Sequence, residues 1–313
     1  MAPRSSRKVV VVAIVANLAI AIGKYVAATF TGSSAMLAEA FHSTADIGNE
    51  ILLLIGMKRS LRPADTLHPF GHGKLLYFYS LLIAIYIFSI GGGLALYQGI
   101  SHVRRPVSTE HVGWNYIVLA LAAVFDFYSW RISYLELRAR KDPDESMRDE
   151  IIESKDPTIF TVFLEDTVGL IGALLAFLGI FLGRLLDNPY LDPIASILVG
   201  LLLAAVAILL ARESGALLVG ERTNRKRIRR IRQIVQSDSS VEAVGDLLTM
   251  QLGPDQVLLN IDIRFRRGFA VQELEAAIDR LEGRIRDAEP MIQRIFIEAD
   301  SLKQQTKMPQ PAA

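Results

Sequence analysis

Apolar residues dominate the first two thirds of the chain. Six stretches are long enough to form helices across a hydrocarbon core, which takes about 20 mostly apolar residues. They are 8–30, 34–57, 75–100, 112–135, 157–183 and 191–211. After about Ser214 the pattern changes. Residues 223–237 form a charged segment with Ile228, Ile231, Ile234 and Val235 at helical spacing. Stretches 241–252 and 256–265 alternate like strands, as in Leu259, Ile261 and Ile263, around the breaker Gly253-Pro254-Asp255. An amphipathic helix over 271–288 and a strand over 292–298 complete an α-β-β-α-β order. That order predicts a small α+β domain with an open-faced sheet. The expected organisation is a six-helix transmembrane domain at 1–214, an α+β domain at 215–301 and a disordered polar tail at 302–313.

Composition narrows the function. Over 313 residues, 51% hydrophobic content and a mean hydropathy of +0.32 fit a chain largely in lipid. The formal charge of +1 argues against a nucleic-acid partner held by phosphate neutralisation. Cysteine is absent, which removes disulfides, thiolate metal sites, iron–sulfur clusters and a cysteine nucleophile. No H-E-x-x-H or G-x-S-x-G occurs, so a membrane enzyme has no motif to support it. Basic residues are unevenly shared between the loops: twelve, from Arg4 to Lys155, fall on one side, against Arg104, Arg105 and Arg184 on the other. Both termini are therefore expected in the cytoplasm. The first apolar stretch is too long for a cleavable signal, and the expected location is the cell (inner) membrane.

Ionisable side chains inside spans are costly and mark function by default. In the second span Glu39, His42, Asp46, Asn49 and Glu50 share one helical face. His42 and Asp46, one turn apart, can reach a single divalent ion; the alternative is a polar seam bonded to neighbouring helices. Glu165 and Asp166 in the fifth span point about 100° apart. Either one faces the cavity and the other a neighbouring helix or Arg131, or both stay wet near the interface. Asp126 in the fourth span either pairs with Arg131 or serves transport. Lys24 is expected to snorkel from the outer end of the first span. Gly91, Gly92 and Gly93 mark a kink or tight contact, and Gly169, Gly172, Ala173, Gly179 and Gly183 allow close helix approach without chemistry of their own. The run 225–232 is read as a solvated face, or else a contact with anionic lipid. The loop 65–74 holds Asp65, His68 and His72, a set that fits either a surface metal site or a solvated turn.

Four stretches together resemble the cation diffusion facilitators, six-span exporters of divalent metals with a cytoplasmic metallochaperone-like (ferredoxin-like) domain. They are Thr31-Gly32-Ser33-Ser34 through Ala38-Glu39-Ala40-Phe41-His42-Ser43-Thr44-Ala45-Asp46, His68-Pro69-Phe70-Gly71-His72-Gly73-Lys74, Glu165-Asp166, and Asp192-Pro193-Ile194-Ala195-Ser196-Ile197-Leu198. The resemblance implies a tetrahedral transport site in which His42 and Asp46 match the second-span ligands and Asp166 the later fifth-span ligand. The earlier fifth-span ligand falls on Val162, which cannot bind metal. A Glu-Asp pair here is similar to a branch of the family that includes a mitochondrial zinc transporter. Glu165, Asp126, Glu50, Asn49 or a water would complete the shell; otherwise zinc selectivity, or transport itself, is lost. Asp65, His68 and His72 match the family's loop site. The cytoplasmic domain lacks the histidines that often bridge protomers, leaving Glu298 and Asp300 at the last strand, so dimerisation is expected there and metal sensing is not.

The implied activity is alternating access of one divalent cation, zinc first with manganese, cobalt and iron(II) as alternatives, in exchange for protons. His42, with an ordinary pKa of about 6.5, suits a site that takes metal or proton. Asp46 and Asp166 would balance a 2+ ion. No permanently bound cofactor is expected, and the partners are the metal, the bilayer and a second copy of the chain. The competing reading is a non-transporting relative that works as a scaffold or sensor.

Overall fold

The computed structural model describes residues 4–105, 113–140 and 155–299, with backbone alone over 4–16 and at 136, 139, 140 and 159. Its helices are α1 (Arg4–Thr31), α2 (Ser34–Ser60), α3 (Leu75–Tyr86), a π segment (Ile87–Gly93), α4 (Leu94–Arg104), α5 (Gly113–Arg140), α6 (Pro157–Leu185), α7 (Leu191–Val219) and α8 (Arg225–Gln236). Then follow β1 (Val241–Gly253), β2 (Gln256–Phe265), α9 (Val271–Ala288) and β3 (Ile292–Ala299). The chain divides into two compact units: α1 to α7 as far as Gly215, and the loop Pro63–Lys74 together with the segment from Ala216. Residues 106–112, 141–154 and 300–313, which include Lys141, Arg148, Asp300 and the expected tail, lie outside the description.

Among the described residues, four helical stretches are long and apolar enough to span a membrane: Leu75–Arg104, Gly113–Leu135, Phe160–Leu185 and Leu191–Val219. The side chains of α1 are described only from Asn17. The many polar groups of α2 hold it below that apolarity. Outward faces carry bare Ile117, Leu121 and Val124 on α5 and Leu198, Leu201 and Ile208 on α7, as lipid contact requires. The expected kink at Gly91–Gly93 takes the form of the π segment that joins α3 to α4. A tight contact accompanies it, because a Cβ on Gly92 would stand 3.2 Å from the Gly200 carbonyl oxygen.

Helix α2 packs against α1, α3, α4 and α6. Its start is fixed twice over. Ser33 is the N-cap, its side chain accepting from the Met36 N–H. The Asp192 carboxylate, 5% exposed at the head of α7, accepts from the Ser34 N–H at 2.7 Å, the Ser34 hydroxyl at 2.8 Å and the Ser33 hydroxyl. An anion there satisfies otherwise orphaned amides and opposes the helix dipole.

In the second unit the expected α-β-β-α-β order is present, with sheet order β1-β2-β3, β1–β2 antiparallel and β2–β3 parallel. Val257, Leu259, Ile261 and Ile263 alternate along β2 and bury their side chains with Ile231 and Val235 of α8 and Leu281 and Ile285 of α9. The opposite face leaves Leu248 and Phe296 exposed. The basic run of α8 is partly paired: Arg227 Nε lies 2.7 Å and Arg230 Nη1 3.6 Å from Glu289. The loop Pro63–Lys74 packs into this unit. A Cβ on Gly73 would meet the Leu252 carbonyl oxygen at 2.3 Å, so only glycine fits.

Asp238 ties α8 to α9. Its carboxylate receives Arg280 at 2.8 Å, Arg284 at 3.2 Å and the Ser240 N–H at 3.0 Å. The Arg280 hydrogen bonds, with those from Ser240, hold its pKa well below the usual carboxylate range. A depressed folded-state pKa contributes stability above the unfolded value of about 4, and that contribution is lost as pH falls through the folded value. The amides of α8 and α9 are therefore expected to lose hydrogen-exchange protection progressively below about pH 4. Asp238→Asn should weaken protection at pH 7 by about 1–2 kcal/mol and flatten that pH dependence.

Candidate functional site

A cavity of about 390 Å³ lies inside the helical unit. It is lined by Asn17 and Ile20 of α1, by His42, Ser43, Asp46 and Glu50 of α2, by Asp126, Ser129 and Ile132 of α5, and by Val162, Glu165, Asp166 and Gly169 of α6. The lining brings together every span residue expected to bind metal except Asn49. Asn49 borders the site from behind, its amide donating to Glu165 Oε1 at 2.9 Å.

His42 Nδ1 stands 3.4 Å from Asp46 Oδ1. Both atoms are buried and neither has a hydrogen-bond partner among the described residues. Glu39 Oε1, Asn49 Oδ1 and Glu50 Oε2 are unpartnered in the same way, so α2 carries five orphaned buried atoms. Unmet polar groups of this kind are costly in low dielectric and call for an unseen partner. From the facing helices, the point where a Gly169 Cβ would sit lies 3.1 Å from His42 Nε2 and 3.3 Å from Asp126 Oδ2. His42 and Asp126 thus converge over Gly169.

Asp166 Oδ2 accepts from Ser129 at 2.8 Å and Ser133 at 3.2 Å. Asp126 has no ion pair with Arg131 among the described residues. Five residues place their side chains about 140° apart on a helix, and Arg131 is exposed. Glu165 and Asp166, for which the sequence left open whether one or neither faced a cavity, both border it. A lining that wraps the α6 face spans the 100° between them.

Lys24 departs furthest from expectation. It does not snorkel: it is 1% exposed, with Nζ 2.9 Å from Glu39 Oε2 and 2.8 Å from Ser43 Oγ. Asn17 donates to Glu50 Oε1 at 2.7 Å, and the Tyr25 and Thr44 hydroxyls meet at 3.0 Å. Asn17, Ile20 and Lys24 recur at spacings of three and four, a stripe on α1 that faces the polar stripe of α2 running the other way. That stripe is readable in sequence once the two helices are paired. Gly169 and Gly172 were expected to serve packing alone, yet they make room for His42 and Glu39: a Cβ on Gly172 would meet Glu39 Oε1 at 2.5 Å.

Among the described residues, the only three His, Asp or Glu side chains whose ligand atoms all lie within 4.8 Å of one another are Asp65, His68 and His72. The cavity's groups are more widely spread. In the loop, His68 Nδ1 stands 3.2 Å from Asp65 Oδ1, and His72 Nε2 3.5 Å from Asp65 Oδ2. His72 Nδ1 meets the Pro63 carbonyl oxygen at 3.1 Å. A carbonyl only accepts, so His72 Nδ1 donates to Pro63, and Nε2 is the ring nitrogen turned to the carboxylate. Backbone N–H donation from His68 holds the Asp65 pKa below its ordinary value.

Residues 10–219 match the family model of the cation efflux transmembrane domain. The chain is 32% identical over 259 residues to the proton-coupled zinc antiporter SLC30A9, mitochondrial, of Mus musculus, covering 82% of this chain and 46% of that protein. It is 28% identical over 243 residues to metal tolerance protein C4 of Arabidopsis thaliana, covering 77% of this chain and 53% of that one. The manganese efflux system protein MneP of Bacillus subtilis (strain 168) is 23% identical over 290 residues, 88% of this chain and 91% of its own. The chain spans about half the length of the first two relatives.

Gly172→Ala is expected to force Glu39 off Lys24 and destabilise the helical unit by about 1–3 kcal/mol, the usual cost of overpacking. Gly183→Ala, whose nearest contact would be 3.4 Å, should be nearly neutral. Thermal unfolding of the purified protein in detergent compares them.

Proposed function

Because this chain belongs to the cation efflux family, whose members are membrane transporters and not enzymes, we propose that it exports a divalent metal ion from the cytoplasm by alternating access, zinc first, in exchange for protons. The carrying observation is the cavity itself. Five carboxylates and a histidine line it, and three of these residues, His42, Asp46 and Glu50, each carry a buried atom with no hydrogen-bond partner among the described residues. A divalent cation satisfies such a set, because carboxylate oxygens and an imidazole nitrogen are its ligands. In this reading His42, Asp46 and Asp166 hold the ion, and Asp126, Glu165, Glu50 or Asn49 completes its shell where Val162 offers nothing. The groups are spread in the present state, so loading draws α2 and α6 together around the ion. Each ligand binds a metal only when deprotonated, so protons entering from the far side would release the ion and reset the site.

Asp65, His68 and His72 are proposed as a second, exposed site where metal arrives. The proposal includes six spans, with α1 and α2 completing the four long apolar helices, and the division into a transport domain at 1–214 and an α+β domain at 215–301. The α+β domain joins two copies through the sheet face that bears Leu248 and Phe296. The location proposed is a cell membrane with both termini cytoplasmic, on the charge asymmetry of the loops. Oxygen donors outnumber the single imidazole, which keeps manganese beside zinc as a substrate.

Val162, standing in the cavity wall at a position where the family's pattern has a ligand, favours a second reading: a relative that kept the fold and lost transport. Proteoliposome uptake decides between them. The expected result is metal entry with opposite proton movement, reduced at least a hundredfold by Asp46→Ala and only a few-fold by His68→Ala, in protein that stays folded. No flux of zinc, manganese, cobalt or iron(II) with folded parent protein would leave the scaffold reading standing.

A further inference from the structure

The cavity lining ends abruptly at one level. Its last residues are Ile20 on α1, His42 and Ser43 on α2, and Gly169 on α6. One turn further along those three helices stand Lys24, Glu39 and Gly172, packed without solvent. The end wall of a cation cavity is therefore a carboxylate that already holds a cation, the Lys24 ammonium, shared with the Ser43 hydroxyl. A buried Lys–Glu pair fastens helices no better than a well-packed apolar pair of the same size, and its charges cost desolvation. Fastening alone does not account for it. Glu39 Oε1, fully buried and without a partner, leaves half of the carboxylate's capacity unused.

We propose that Glu39 and Ser43 form an exit subsite for the divalent cation, and that Lys24 is a tethered cation which plugs it until the travelling ion displaces the ammonium. This rests on the reading of the cavity as a metal route. The chemistry is an exchange of cations on one carboxylate. A 2+ ion arriving from His42 and Asp46 outbids a single positive charge at the same oxygen, and the freed ammonium stays on its α1 stem to return when the ion has left. Glu39 is never bare in hydrocarbon, and the route is shut whenever the cavity is empty.

The absence of cysteine makes the test clean. Ile20→Cys places one thiol in the cavity, and a membrane-impermeant thiol reagent added to either face of sealed vesicles reads which side the cavity opens to. With Lys24 present and no metal, one face should label. Lys24→Gln should raise labelling from the opposite face at least tenfold, and zinc ion added to the Lys24 protein should do the same. An unchanged opposite-face rate in folded Lys24→Gln protein overturns the proposal. Should that variant fail to fold, the exchanged pair Lys24→Glu with Glu39→Lys decides. One-sided labelling restored without zinc flux supports the subsite, since the carboxylate has left its place beside His42. Restoration of both labelling and flux means a mere fastener. Labelling needs no transport, so a parent that moves no metal would fail the metal-route reading separately, while labelling still reports on the plug.

Discussion

A helix that carries polar side chains through hydrocarbon must find each of them a partner, because an unmet group there costs several kcal/mol. Helix α2 is under that constraint along its whole length, and the helical unit is arranged around it. Asp192 of α7 closes its first turn, Lys24 and Asn17 of α1 take Glu39 and Glu50, and Glu165 of α6 takes Asn49. Of the five atoms left over, three belong to residues that line the cavity, His42, Asp46 and Glu50. Partnering and function are thus divided along one helix: whatever its neighbours do not satisfy is available to an ion.

Charge has the same logic. Asp46, Asp126, Glu165, Asp166 and Glu50 border one small cavity, and among the described residues its lining contains no lysine or arginine. Lys24 lies just beyond and is spent on Glu39. Such a space attracts cations and rejects anions before any detail of coordination matters. The serines beneath Asp166 and the amide beneath Glu165 fix where those carboxylates point, and Gly169 lets His42 and Asp126 approach.

Much of this was legible in sequence, and what was not has a common cause. Periodicity marked out the elements of the second unit to within a residue or two, and polar spacing on α2 put His42 and Asp46 on the face that lines the cavity. It failed where meaning depends on the neighbouring helix. Lys24, alone on an apolar stretch, reads as a snorkelling end residue until Glu39 is placed opposite it. Ser129 and Ser133, one turn apart, read as ordinary helix serines until Asp166 is found between them. Asp126 and Arg131 look like a pair in one dimension and lie on different faces in three. Val162 was visible as a departure from the family pattern, and its place in the cavity wall gives that departure a spatial meaning.

The central claim is that one divalent ion binds between α2 and α6, on His42, Asp46 and Asp166. Crystals or vitrified particles of the protein loaded with zinc ion, with the metal identified by anomalous scattering or by density lost on chelation, test it most directly. The ion should lie about 2.0–2.2 Å from His42 and from both aspartates, with Val162 beside it and no bond to that side chain. Zinc found only at Asp65, His68 and His72, with the cavity unchanged, would contradict the claim.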